Sequence, residues 1–376
     1  MKVLVMQENL NKALGVVSRM VSVKAQLPIL NNILLLAKNG KLVLRATNLE
    51  TGISFWLGGK VEEEGKLTVP AKILTEVIAS MPQETIELKG EKEQLQVKGG
   101  KFRAQINGIS AEEFPEIPSL KEEGRQRKTI RLDKKKLEKS LNQVAMAAAT
   151  DESRPIFTGV KVELGKDRLR MAATDGYRLS VKIIEGAATG IDEKKELVIP
   201  AKALIELTKV IDLSEANAGE VELWPTEEEK QLILSFGEAE IVTRILSGEF
   251  PDFDKIIPQS SATKVEAGKD ELEKAVRAAA VFARDSANIV KFQIKDEKMV
   301  ISANAPQVGE NEVEVGIKKE GENSEIAFNS RYLLEMLQAI EGERVELKMS
   351  GPLSPGLFQS EEKGFLHIIM PVRVQQ

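Results

Sequence analysis

Apolar and polar positions along this chain switch between two periods, and the switching occurs three times. In "ENLNKALGVV", "KKLEKSLNQV" and "DELEKAVRAA", Leu10 and Leu14, Leu137 and Leu141, and Leu272 and Val276 lie one helical turn apart. That spacing predicts three amphipathic helices packed by one stripe. Two positions after the first leucine comes Lys12, Lys139 or Lys274, about 200° around the axis and so turned away from the core.

A second helix recurs in "LTVPAKILTEVI", "LVIPAKALIELT" and "IAFNSRYLLEML". Each predicts a short apolar strand ending at Pro70, Pro200 or Asn329, then a helix with a basic second residue: Lys72, Lys202 or Arg331. Proline or asparagine suits a helix start. Glu76, Glu206 and Glu335 follow four residues later, spaced for an ion pair on the helix surface.

Between the helices the period falls to two. "NGKLVLRATNLETGISFWL", "KDRLRMAATDGYRLSVKII" and "DEKMVISANAPQVGENEVEV" each predict strand, polar turn, strand. Asp175-Gly176, inside "ATDGYRLSV", falls where the repeat needs a hairpin turn, and Asp-Gly is a strong signal for one. "KGGKF" at 98–102 predicts another turn. "NGISAEEFPEIPSL" and "LSGEFPDFDKIIPQ" close the first two units with a Phe-Pro pair. Linkers are expected in "KEEGRQRK" and "PQSSATK", which are polar and aperiodic. Three α+β domains with antiparallel sheets result, at 1–122, 128–258 and 259–376.

Composition narrows the chemistry. The chain of 376 residues has no cysteine, one histidine and a formal charge of -5. Disulfides, thiolate metal sites and a cysteine nucleophile are excluded, and a reducing compartment such as the cytosol fits. No apolar run approaches the length of a membrane span. His367 lies inside the alternating strand "FLHIIMPV", where a structural role is expected. There is no nucleophile elbow and no phosphate-cradling loop, so neither an enzyme nor a cofactor is indicated. The glutamate runs at 62–64 and 227–229 read as solvated loops.

Six helices that keep a basic residue at matching positions suggest a cationic stripe for phosphate contact. Lys134, Lys135 and Lys136, Arg19 and Arg277 add charge nearby. Overall acidity then suits a protein that follows a polyanion loosely rather than gripping it.

The layout resembles the beta sliding clamps of bacterial DNA polymerase III over the whole chain. The resemblance rests on "LPILNNILL", "VPAK", "ATDGYRLSV", "FPDFDKIIP" and "MPVRV", in that order and spacing. It implies a ring-shaped, head-to-tail homodimer without catalytic activity, with helices lining a central pore around duplex DNA and sheets outside. It implies a replicative polymerase catalytic subunit, a clamp loader and other clamp-binding proteins as partners, no membrane, and a cytoplasmic location. An open three-domain nucleic-acid-binding module is the alternative.

Residue by residue, the resemblance implies DNA contacts at Lys12, Arg19, Lys24, Lys72, Lys136, Lys139, Lys202, Lys274, Arg277 and Arg331. It implies a pocket for partner peptides with Gln and Leu-Phe anchors, formed by Arg154, Phe157, Thr174, Gly176, Tyr177, Arg178, Leu179, Pro251 and Ile256 with Asn329, Tyr332, Leu353, Pro355, Ile368, Met370, Pro371, Val372 and Arg373. It also implies a dimer contact pairing the edge near Ile106 with Val281 and Phe282. Tyr177 stands where the family often has His, Pro155 and Ile156 replace aromatic residues of some members, and Gln375 and Gln376 extend past the usual terminus.

Overall fold

The computed structural model describes residues 1–21, 27–123, 129–187, 194–213, 219–226 and 230–373. The chain forms two compact units, Met1–Glu138 with Lys202–Ile245 and Lys139–Ala201 with Leu246–Gln376. The middle third of the sequence contributes to both.

Helices fall where the stripes place them. They are α1 (Gln7–Val17), α2 (Ala71–Ala79), the single turn α3 (Leu120–Glu123), α4 (Lys134–Ala145), α5 (Ala201–Leu213), α6 (Lys269–Ala283) and α7 (Ser330–Ala339). Leu10, Leu14, Leu137, Leu141, Leu272 and Val276 are all buried, at about 1.5–3 kcal/mol for each large aliphatic side chain. One helix of each kind, α4 and α7, starts on a side-chain cap. Asp133 Oδ1 accepts from the Lys136 amide at 2.9 Å and Asn329 Oδ1 from the Arg331 amide at 2.9 Å, each satisfying an orphan donor of the first turn. Pro70 precedes α2 without a side-chain cap.

The first unit holds a five-stranded sheet in the order Lys60–Glu63, Lys2–Met6, Thr85–Glu91, Gln94–Gly99, Phe102–Asn107. Its second sheet has eight strands, in which Ala239–Arg244 adds to Thr51–Gly58 with Ala239 opposite Phe55 and Thr243 opposite Thr51. The second unit holds a twelve-stranded sheet with a matching joint, Arg178–Glu185 against Phe365–Ile369, where Arg178 faces Ile369 and Lys182 faces Phe365. Every strand pairing among the described residues is antiparallel. At each joint a strand from one sequence third completes the sheet of another, so the hydrogen-bonded ladder crosses between domains.

Three local expectations need correction. Glu62 and Glu63 are solvated as expected, yet they sit in the strand Lys60–Glu63 and not in a loop, because this segment pairs with Lys2–Met6 and Glu62 meets Lys2 at 2.8 Å. Thr263 and Lys264 begin the strand Thr263–Gly268 instead of ending a linker, since both of its edges are paired. Lys121 belongs to α3, with its amide bonded to buried Glu240 at 3.1 Å. Residues 227–229, Lys24, Gln375 and Gln376 lie outside the described residues. No helix among the described residues is long and apolar enough to cross a membrane.

Candidate functional site

"ATDGYRLSV" is first of all a turn. Thr174 ends one strand and Arg178 starts the next. Gly176 takes a φ of 92°, a region that favours glycine. Asp175 Oδ1 accepts from the Tyr177 and Arg178 amides at 2.8 and 3.0 Å, and Thr174 Oγ1 donates to the Arg178 carbonyl at 2.6 Å. The Thr and Asp are therefore occupied in holding the loop.

Two side chains are left for other work. Tyr177 projects at 63% exposure. Arg178 is buried, with its guanidinium 4.4 Å from the centre of the Tyr332 ring. Its Nε donates to Asp175 Oδ2 at 3.1 Å and its Nη1 to Glu335 Oε2, so the buried charge is paired on two sides, as burial requires. Burial alone would raise the Glu335 carboxyl, but hydrogen bonds from Arg331 and Arg178 outweigh it and hold it below the ordinary glutamate range. Burial, helped by Asp175, pushes the Tyr332 phenol up.

An apolar floor adjoins this charged wall. Leu179, Phe250, Phe253, Leu357 and Ile368 share one buried cluster, edged by Ile156 and Ile257. Pro251 and Ile256 bracket Phe253 in sequence, and Ile256 is exposed. Leu353, also exposed, and Pro355 lead into the strand Gly356–Ser360. The C-terminal run crosses beside the turn: the Met370 amide donates to the Tyr177 carbonyl and the Val372 amide to the Ala327 carbonyl, each at 2.8 Å. Met370 is 37% exposed. Pro371 and Arg373 belong to the same run. Arg154 donates to the Asp175 carbonyl at 3.1 Å and covers the Phe157 ring at 4.6 Å. The second unit thus carries exposed Met370, Tyr177 and Leu353 on segments that run beside or lead into strands of this apolar cluster, with Arg154 at the turn. Sequence reasoning missed Asp175 as the partner of Arg178, and the Phe250–Phe253 edge-to-face pair at 6.1 Å beneath the floor.

The cationic positions are less bare than their sequence suggests. Lys12 pairs with Glu8 at 3.2 Å, Arg331 with Glu335 at 2.8 Å, and Arg277 with Glu273, each one turn away. Arg19 reaches Glu206 at 4.0 Å, and Glu206 also receives Lys209 at 2.5 Å. Lys72, Lys136 and Lys274 are exposed, and so is Lys202. Exposed pairs of this kind contribute about 0–1 kcal/mol, so phosphate can displace them. Lys139 differs, because it is held by Glu341 at 2.5 Å and Glu362 at 2.9 Å. Glu362 also takes hydrogen bonds from buried Lys182 and from Gln143 at 2.6 Å. Burial works to lower the Lys139 ammonium, and the two carboxylates more than reverse it.

Ile106 is 4% exposed and faces the core from Phe102–Asn107, the end strand of the five-stranded sheet. What this edge offers is its backbone and the outward Arg103 and Gln105. Val281 is 54% exposed at the end of α6. Phe282 packs partly on the C-terminal core, with its ring beside Gly309. His367 is fully buried with Nδ1 2.6 Å from Ser180 Oγ. Burial, with a contribution from Arg178, lowers its value to about 3, so at neutral pH it is an uncharged core residue.

Comparison with known proteins agrees with this arrangement along the whole chain. Residues 1–118, 131–252 and 254–373 match the N-terminal, central and C-terminal domain models of the DNA polymerase III beta subunit. The beta sliding clamp of Synechococcus elongatus is 30% identical over 383 residues, covering all of both chains. That of Synechocystis is 31% identical over 396 residues, again with full coverage. The crystal structure of the Thermotoga maritima DNA polymerase III beta subunit superposes with a TM-score of 0.90 at 30% identity, covering both chains fully. A Pseudomonas aeruginosa sliding clamp bound to griselimycin gives 0.89 at 27% identity, also with full coverage. With three tandem clamp domains and matches of this extent, the chain belongs to the DNA polymerase III beta subunit family.

Proposed function

We propose that the chain is a DNA sliding clamp and polymerase processivity factor, non-enzymatic, in which two copies close head to tail around duplex DNA. One observation carries the closure. At both internal joints the strand after the turn takes up a strand from the next sequence third, in the same register. The third strand of that kind, Gly309–Gly321, has no partner on the outer edge of residues 309–316 among the described residues, and Phe102–Asn107 is paired on one side only. Carrying the internal register onto this last pair sets Phe102 opposite Val313, Arg103 opposite Glu312 and Ile106 opposite Gly309.

Unpaired edges seek partners, and a heterologous contact that closes leaves none. Arg103 and Glu312 are both exposed and of opposite charge, so the register is electrostatically favourable. Exposed Val281, with Phe282 beside Gly309, supplies an apolar contact at the same edge. Light scattering should give twice the 41.4 kDa chain mass, and Arg103→Glu should shift the protein toward monomer. A monomer at micromolar concentration in the unaltered chain would overturn the closure.

In this reading Lys12, Arg19, Lys24, Lys72, Lys136, Lys202, Lys274, Arg277 and Arg331 meet phosphates without sequence preference. Lys139, already held by Glu341 and Glu362, meets phosphate only by exchanging those carboxylates for it. The pocket around Arg178 and Met370 takes the peptide anchors of the replicative polymerase and other clamp-binding proteins. The sequence has no nucleotide-cradling loop, so an ATP-driven loader opens the ring. The site of action is the bacterial cytoplasm, and the domain limits are 1–122, 128–258 and 259–376. The open three-domain module is not favoured, because it leaves both edges bare.

A further inference from the structure

We propose that Glu335 is a positioning residue coupling anion binding on α7 to the partner pocket: phosphate that draws Arg331 from Glu335 weakens peptide binding at Arg178. This deepens the clamp reading and rests on it. The geometry is a single shared carboxylate. Glu335 Oε1 accepts from Arg331 Nε at 2.8 Å, and Oε2 accepts from Arg178 Nη1. Arg331 is an outward cation at 72% side-chain exposure, whereas Arg178 is at 6%. One residue therefore reaches solvent anions and the other forms the pocket wall.

Charge decides the direction. Asp175 and Glu335 carry two negative charges and Arg178 and Arg331 two positive, so the group is balanced as it stands. When a phosphate engages Arg331, the Glu335 charge falls wholly on Arg178, and the pocket wall acquires a net negative character. The Arg178 guanidinium, already fixed by Asp175 and by the Tyr332 ring, then offers less to a carbonyl or carboxylate of an incoming peptide. Because a buried guanidinium is poorly screened, a change of partner on one oxygen is felt at the other. Tyr332 follows Arg331 on α7, so any shift of the helix start moves the ring that Arg178 covers.

The test uses the full chain and a fluorescein-labelled decapeptide bearing Gln and Leu-Phe anchors with one flanking Asp, read by fluorescence anisotropy. Arg331→Ala should weaken the peptide about five-fold, a typical coupling between sites, with Arg331→Lys in between. A 20-base-pair duplex should weaken the unaltered protein similarly and leave Arg331→Ala unmoved. In the Glu335→Gln background the Arg331→Ala effect should disappear. A role of Arg331 confined to folding would lower thermal stability without this background dependence. Equal peptide affinity in the unaltered and Arg331→Ala proteins, with or without duplex, would overturn the coupling alone. No peptide binding by the unaltered protein would overturn the pocket reading and the coupling with it.

Discussion

The two sheet joints share one construction and differ in what they carry. At the first, Thr47 Oγ1 donates to the Thr51 carbonyl at 3.0 Å, and Asn48 Oδ1 accepts from the Glu50 and Thr51 amides at 3.0 and 2.8 Å. At the second, Thr174, Asp175 and Arg178 repeat that pattern. The turn is thus scaffold at both. In the proposed reading, function enters with the substitutions on it: Arg178 stands where the first joint has Thr51, and Tyr332 where α5 has buried Ala203. The buried polar groups also differ. The first joint buries Glu240, which accepts from Ser119 Oγ at 2.7 Å, and the second buries His367 against Ser180.

Acid should separate the joints most strongly. His367 titrates near 3 when folded against an ordinary 6.5, so the unfolded chain binds the extra proton. Stability from this group is complete above pH 6.5 and is lost as pH falls toward 3, by up to about 5 kcal/mol at 1.36 kcal/mol per pH unit. The depressed carboxyls of Glu335 and Glu362, where burial is outweighed by bonds from Arg and Lys, add losses of the same sign at lower pH. Glu240 is raised by its burial, so its contribution is full below the ordinary glutamate value and declines as pH rises through the raised one. Hydrogen exchange at pH 5 against pH 7.5 should therefore deprotect 178–185 and 365–369 while sparing 51–55 and 239–243. Equal deprotection would break the contrast.

Arg178→Ala leaves partly buried Asp175 without its cation and Glu335 with Arg331 alone, and should cost about 3–5 kcal/mol along with peptide binding. Thr51→Ala, at the matching position, should cost well under about 2 kcal/mol, the range for one neutral hydrogen bond. Urea titration of both variants checks the ratio. Ser119→Ala, which removes a donor from a buried carboxylate, should cost about 1.5–3 kcal/mol and be felt at the first joint alone, as exchange at 239–243 would report. The smallest change concerns the turn. Leu49 takes a φ of 75° where Gly176 takes 92°, so Leu49→Gly should relieve about 1 kcal/mol of strain, partly offset by the entropy of glycine in the unfolded chain. Thermal melting should show no loss.

Much of this was legible in the sequence because it is periodic. The leucine stripes, the helix starts after Pro70, Pro200 and Asn329, and the Asp-Gly turn are local signals, and the chain folds locally as they direct. What could not be read depends on distant partners. Arg178 and Glu335 are 157 positions apart, and Lys139 meets Glu341 and Glu362 over still longer separations. A helix period shows that Lys139 faces outward but not that carboxylates wait there. Ile106 is a different case: the alternation of Arg103, Gln105 and Asn107 as the exposed positions was present in the sequence and marks Ile106 as inward.

Enclosure is tested most directly by topology. The protein is loaded onto a nicked circular duplex with a bacterial clamp loader and ATP, then passed through gel filtration at high salt, before and after one cut linearises the circle. A ring that holds DNA without gripping it stays with the circle and is lost after the cut, because salt removes only the phosphate contacts. Release from circle and linear DNA alike as salt rises would contradict enclosure and leave charge as the only hold.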